Sequence, residues 1–220
     1  MSDYEAKTHY QSTDSAKKYE QQFAAPLSLF SLRIKLVGLR EEREFRRMLQ
    51  KIKGATSALD IACGTGRYLK ILIDNGLRTG GSDISNKMLS YARQHLNYQK
   101  NSLFLQQGDA ENLPFNENEF DLVTCMRLYH RVPTANRLNM LYEVKRVGIG
   151  NAILFFGMET RYLKLRRSLR EKFMTGRSSN PYPLTHIQLF ADLELVGMNV
   201  QDTAWVLPLL ADGLLVRAIW

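Results

Sequence analysis

The chain has 220 residues, 45% of them hydrophobic and 24% charged, with a formal net charge of +8. This length and balance describe one sizeable domain of an ordinary soluble globular protein, and no apolar run approaches the roughly 20 residues that span a bilayer. The polar start "MSDYEAKTHYQSTDSAKKYE" lacks the apolar core of a secretory peptide. Cys63 and Cys125 alone make no metal or disulfide framework, so no metal site is expected and a reducing, cytoplasmic setting is.

Residues 1 to about 25 are polar. From Leu27 to Leu39, "LSLFSLRIKLVGL" fits two periods. Phe30, Leu32, Ile34 and Leu36 alternate as in a strand, whereas Leu29, Leu32, Leu36 and Leu39 share a helical face, and periodicity leaves both open. After Gly38 the pattern is plainer, because Phe45, Met48, Leu49 and Ile52 fall on one face of a helix. Short apolar strands then alternate with amphipathic helices. Strands are expected near 57–62, 78–83, 102–106, 120–125, 151–157, 198–206 and 213–219, and helices near 65–75, 86–97, 135–147 and 184–196. Such alternation predicts an α/β, Rossmann-like, doubly wound seven-stranded sheet, mostly parallel. The last two strands are joined by so few residues that they must run antiparallel.

The charge is unevenly placed. Residues 161–177, "RYLKLRRSLREKFMTGR", hold seven Lys or Arg against Glu171 alone, a local balance of +6. The segment reads either as a solvated helix face or as a contact for phosphate, phospholipid headgroups, nucleic acid or an acidic substrate. Leu163, Leu165, Leu169 and Phe173 point to an amphipathic helix rather than a disordered arm.

In a doubly wound sheet, ligands bind beyond the carboxyl ends of the strands. The first strand ends in "DIACGTG", where Gly64 and Gly66 let a ligand lie against the backbone. Asp83 ends the second strand, where a carboxylate can accept both hydroxyls of a ribose. Asp109 and the Ala110 amide follow the third and can pair with the edge of an adenine. Cys125, Met126 and Arg127 follow the fourth, beside the glycine turn. The outer glycines of G-x-G-x-x-G are replaced by Ala62 and Leu69, and no G-x-x-x-x-G-K-[ST] is present. Both facts disfavour a dinucleotide or a triphosphate. Asp60 before the turn suits a ligand bearing an ammonium group.

These stretches, with "GSDISNKMLSYAR", "QQGDAENLPFNENEFDLVTCMRLYHRV" and "EVKRV", resemble the class I S-adenosylmethionine-dependent methyltransferases over roughly residues 55–160. The likeness is strongest to the group that includes ubiquinone and menaquinone biosynthesis enzymes. The resemblance implies S-adenosylmethionine as cofactor. Asp60 and the turn residues Ala62, Cys63, Gly64, Gly66 and Arg67 would hold its methionyl end, and Asp83 its ribose. Ile84 and Met88 would flank the adenine, with Asp109 and Ala110 at its edge, and Cys125 and Met126 nearby. "SAKKYE" resembles the family's entry segment, whose tyrosine, here Tyr19, closes over the cofactor. Two departures stand out: Leu128-Tyr129-His130-Arg131 replaces Leu-His-His, and "GIGNA" replaces L-x-P-G-G.

His130, Tyr129 and Arg127 are the catalytic candidates. His130 reads either as a general base or as a structural, substrate-shaping residue, and a base is needed only if the acceptor must lose a proton early. Arg127 alternatively pairs with an acidic group of the substrate. Cys63 and Cys125 read as small buried residues beside the cofactor rather than as functional thiols. The expected organisation is a helical cap or lid over 1–54 and a cofactor-binding domain over 55–220, with a basic insertion at about 160–182. The expected activity is methyl transfer to a small-molecule acceptor: a lipid, a quinone, or another hydrophobic or anionic biosynthetic intermediate. Two alternatives remain, an RNA methyltransferase using 161–177 and a non-catalytic cofactor-binding partner subunit. Contact with a membrane surface through 27–39 and 161–177, with Arg33 and Lys35 toward headgroups, also stays open against a cap packed over the site.

Overall fold

The computed structural model describes residues 29–96, 103–159, 164, 181–207 and 211–220. The ambiguous stretch after Leu27 is helical from Leu29 onward, and it merges with the clearer pattern behind it into one helix, α1, over Leu29–Leu49. Gly38 does not interrupt α1. A Cβ at this position would lie 3.0 Å from Nη2 of Arg67, and that nitrogen donates to the Gly38 carbonyl at 2.7 Å. The glycine weakens the helix intrinsically but admits the arginine to its backbone.

The remaining elements follow the expected alternation: β1 (Ser57–Ile61), α2 (Arg67–Asp74), β2 (Arg78–Asp83), α3 (Asn86–Leu96), β3 (Leu103–Gln107) and β4 (Leu122–Cys125). A short 3-10 turn, Tyr129–Arg131, precedes α4 (Thr134–Val147) and β5 (Asn151–Gly157). Then come α5 (His186–Leu195), β6 (Asn199–Trp205) and β7 (Gly213–Ile219). α5 starts with a capping box in which Thr185 and Gln188 satisfy each other's backbone amides.

The strands form one sheet in the order β3-β2-β1-β4-β5-β7-β6. The first five are parallel, and β7 is antiparallel to both β5 and β6, as the short final connection requires. The chain builds outward from β1 to β3 and returns to place β4 on the other side of β1. The switch point therefore lies between β1 and β4, where a ligand crevice is expected.

The two-residue period of the strands divides the core. Ala58, Leu122, Ile153 and Leu215 face one side, with Phe45, Met48 and Leu49 of α1 and Tyr68, Ile71 and Leu72 of α2. Leu59, Val123, Leu154 and Val216 face the other, with α4 and α5. The second half of α1 is thus part of the core. A bulge between Val200 and Asp202 interrupts the β6–β7 register, and Asp202 accepts hydrogen bonds from Arg47 at 2.7 Å and Lys51 at 2.6 Å, tying α1 to the sheet edge.

Candidate functional site

The turn after β1 takes a backbone path that L-residues resist. Ala62 (φ +53°), Gly64 (φ +56°) and Gly66 (φ +89°) are all left-handed. The two glycines serve different needs. A Cβ on Gly66 would lie 2.6 Å from Cδ1 of Leu96 and 3.3 Å from Cβ of Ala92, so this glycine lets α2 start hard against α3. A Cβ on Gly64 would meet nothing within 4 Å, which leaves the turn open on its outer side. Arg67, next in the chain, points to α1 instead: its Nε donates to Glu42 at 2.8 Å.

Two carboxylates stand beside that open turn. Asp60 is 1% exposed, and its Oδ1 accepts from the Thr124 hydroxyl of β4 at 2.6 Å. Burial pushes its pKa up to about 7, opposed by the Thr124 hydrogen bond and increased by the charge of Asp83. Asp83 is also buried. Its Oδ2 accepts from the Gly64 amide at 2.9 Å and its Oδ1 from the Ser85 amide at 2.9 Å. Burial raises its pKa too, against those two amides. Among the described residues no cation forms an ion pair with either acid. Each oxygen of Asp83 retains accepting capacity beyond its backbone bond.

The segment after β3 folds onto the end of β2. The Gly108 amide donates to the Asp83 carbonyl at 3.2 Å, and a Cβ on Gly108 would sit 2.6 Å from the buried Ser82 hydroxyl oxygen. Asp109 forms a turn of its own, its Oδ1 accepting from the Glu111 amide at 3.1 Å. The "EVKRV" motif of α4 holds this segment in place. Glu143 accepts from the Leu113 amide at 2.6 Å, while Arg146 donates to the Phe115 and Leu113 carbonyls at 2.8 and 2.9 Å. Ala110 packs against the larger core. Met88 is buried on α3, and Ile84 is half-buried with its carbonyl accepting from Gln107 at 2.9 Å. Tyr19 lies outside the described residues.

Past β4 the chain carries Met126, buried, and Arg127, whose φ of +60° is a strained value for a non-glycine residue. Glu41 of α1, fully buried, fixes it. Arg127 Nε lies 3.0 Å from both Glu41 oxygens and its Nη2 lies 2.5 Å from Oε2. The Tyr68 hydroxyl also donates to Glu41. Glu41 escaped the sequence reading, although a signal was present. It sits four residues before Phe45 and seven before Met48, a carboxylate on an apolar helix face. The Arg127 guanidinium lies 5.8 Å from the Phe155 ring centre, and His130 meets the same ring edge-on at 5.8 Å.

His130 is buried and its Nδ1 has no hydrogen-bond partner among the described residues. Burial, with the charges of Arg131 and Arg127, holds its pKa well below the usual histidine value, so the imidazole is neutral. Tyr129 is fully buried and stacked on Phe156 at 4.9 Å, and burial raises its phenol pKa. Both thiols, Cys63 and Cys125, are buried and their pKa values are raised by that burial, which leaves them protonated and poorly nucleophilic. The geometry thus gathers Asp60, Gly64, Asp83 and the Asp109 segment at one rim. It sets Arg127, Phe155 and His130 together past β4, and turns Arg67 toward α1. Of the basic segment 161–177, only Lys164 falls among the described residues.

Residues 58–148 match the model of a family described as a methyltransferase domain. The demethylmenaquinone methyltransferase of Oceanobacillus iheyensis is 34% identical over 119 residues, 51% of this chain and 49% of that protein. The ubiquinone biosynthesis O-methyltransferase of Coxiella burnetii is 32% identical over 80 residues, 36% of this chain and 34% of that protein. The chain thus spans half or less of the length of these curated relatives. The fold is shared with magnesium protoporphyrin IX methyltransferase from Synechocystis, solved with bound SAH, at a TM-score of 0.83, 18% identity and 97% coverage of both chains.

Proposed function

We propose, from the premise that this chain is a class I S-adenosylmethionine-dependent methyltransferase, that it methylates a small, largely apolar acceptor of the quinone or lipid-precursor type. The observation that carries the cofactor assignment is the pair Asp60 and Asp83: two buried acids that meet no cation among the described residues, beside an open left-handed turn. S-adenosylmethionine brings an ammonium group, a sulfonium, a ribose diol and an adenine, and this donor set suits them. Asp60 faces the need for a cation. Asp83 would accept from the ribose hydroxyls, Gly64 would leave room for the methionyl chain, and the half-buried Ile84 and Ala110, with the buried Met88, would supply an apolar setting for the base. When bound, the cofactor supplies an electrophilic methyl group on a sulfonium whose departure leaves a neutral thioether.

What the chain adds to that chemistry is alignment, exclusion of water and a place for a proton. His130, neutral and with Nδ1 unpartnered, accepts the proton of a hydroxyl acceptor. Tyr129 holds the 3-10 turn against Phe156. Arg127 is a positioning residue, since Glu41 occupies its guanidinium. The apolar acceptor class is supported by relatives named for demethylmenaquinone and ubiquinone biosynthesis and by the fold neighbour named for a porphyrin.

Calorimetry tests the cofactor: S-adenosylhomocysteine should bind, and binding of a nicotinamide dinucleotide in its place would overturn the reading. A methyl-transfer screen over quinone precursors, phenolic lipids, phospholipids and RNA tests the acceptor. Transfer to RNA alone would refute the apolar assignment. His130→Gln should lower kcat for a hydroxyl acceptor with KM little changed.

A further inference from the structure

The outer face of α1 differs in kind from its inner face. At about 100° per residue, Leu32, Lys35, Leu36, Leu39, Arg43 and Arg46 fall within one stripe roughly 100° wide, and all six are exposed. Leu32, Leu36 and Leu39 are 46, 48 and 66% exposed, an apolar cluster offered to solvent. No carboxylate shares the stripe: Glu41 and Glu44 are buried, and Glu42, at its margin, is paired with Arg67. Apolar and cationic groups with no acid among them are the make-up of a helix that lies in the headgroup region of a bilayer.

We propose that this stripe docks the protein on an anionic bilayer surface, the leucines entering the acyl boundary and Lys35, Arg43 and Arg46 meeting lipid phosphates. A second copy is a poorer occupant. Pairing the stripe with itself sets three cations against three, with no acid on either side to offset them. A bilayer satisfies both halves of the pattern. The arrangement also places the site. The same helix grips Arg67 from its flank, through Gly38 and Glu42, and Arg127 from its buried face, through Glu41. Docking therefore brings the end of β4 close to the phase in which apolar molecules dissolve. The surface assignment is independent of the acceptor's identity.

Flotation of the full chain with vesicles tests this. The protein should float with phosphatidylcholine mixed with phosphatidylglycerol, weakly with phosphatidylcholine alone, and less as salt is raised. Leu32→Ser, Leu36→Ser and Leu39→Ser together should lower the partition by at least about tenfold. Each of Lys35→Glu, Arg43→Glu and Arg46→Glu should lower it about fivefold or more. All six residues are exposed, so the far-UV spectrum and melting temperature should hold. Unchanged flotation of the leucine variant would assign lipid binding to another segment and overturn the proposal. Absence of flotation would do the same, as would a leucine variant that loses a dimer while wild type ignores vesicles.

Discussion

Two groups of buried acids lie near the carboxyl ends of the central strands, and the fold treats them in opposite ways. Glu41 is given everything a buried carboxylate needs: three close contacts with the Arg127 guanidinium and the Tyr68 hydroxyl. Among the described residues, Asp60 and Asp83 receive one hydroxyl and two backbone amides, and no cation. Desolvation without a counter-charge is unfavourable, so an acid left that way must either protonate or wait for a positive ligand. The contrast separates frame from site. A satisfied acid fixes strained backbone, here the left-handed Arg127, and an unsatisfied pair reserves its charge for something that arrives.

The contrast breaks if Glu41 behaves like a ligand-binding group. Glu41→Ala leaves a guanidinium and a phenol without their acceptor, and breaking a buried pair costs about 3–5 kcal/mol. Because the Arg127 side chain keeps 30% exposure, the low end applies, a loss of about 3 kcal/mol and a fall of roughly 6–12 °C in the thermal midpoint. Cofactor affinity should change far less than stability. An unchanged melt with a large loss of binding would move Glu41 from the frame into the site.

Asp83→Asn is the opposite experiment. It keeps the shape but removes the charge that two ribose hydroxyls would use, and a hydrogen bond to a charged group is worth about 1.5–3 kcal/mol. Binding of S-adenosylhomocysteine, followed by calorimetry, should weaken roughly a hundredfold, with the melt moving less than in Glu41→Ala. Equal affinity in wild type and variant would remove Asp83 from the ribose site.

The sequence made one of these regions visible and hid the other, for a physical reason. Asp60, Gly64, Asp83 and Asp109 stand at the ends of strands whose period can be read, so their convergence follows once the strands are parallel. The antiparallel end of the sheet was legible in a connection too short for a crossover. Glu41 belongs to a constellation built across long separations in the chain, with Arg127 and Tyr68, and no local pattern encodes such a meeting. The start of α1 was ambiguous because Leu32 and Leu36 satisfy both periods, and neither is in the core: both face outward. Gly38, after which the helical pattern becomes plain, is the spot where Arg67 reaches the helix backbone.

Asp60 gives the finest division between the two kinds of acid, through pH. Its pKa stands at about 7 in the fold against 3.8 for the free side chain, so between those values the folded state binds more protons than the unfolded one. Its contribution to ligand-free stability is therefore present at acid pH and is lost as pH rises toward 7, levelling off above. The difference between wild type and Asp60→Asn, followed in thermal melts, isolates this slope from other titrations. A cationic ligand reverses the preference, because it favours the carboxylate. S-adenosylmethionine should then bind about tenfold more weakly at pH 6 than at pH 8, with proton release near neutrality, and Asp60→Asn should flatten that dependence. A flat profile in wild type would mean that Asp60 does not titrate in this range, and the distinction between frame and site would rest on Asp83 alone.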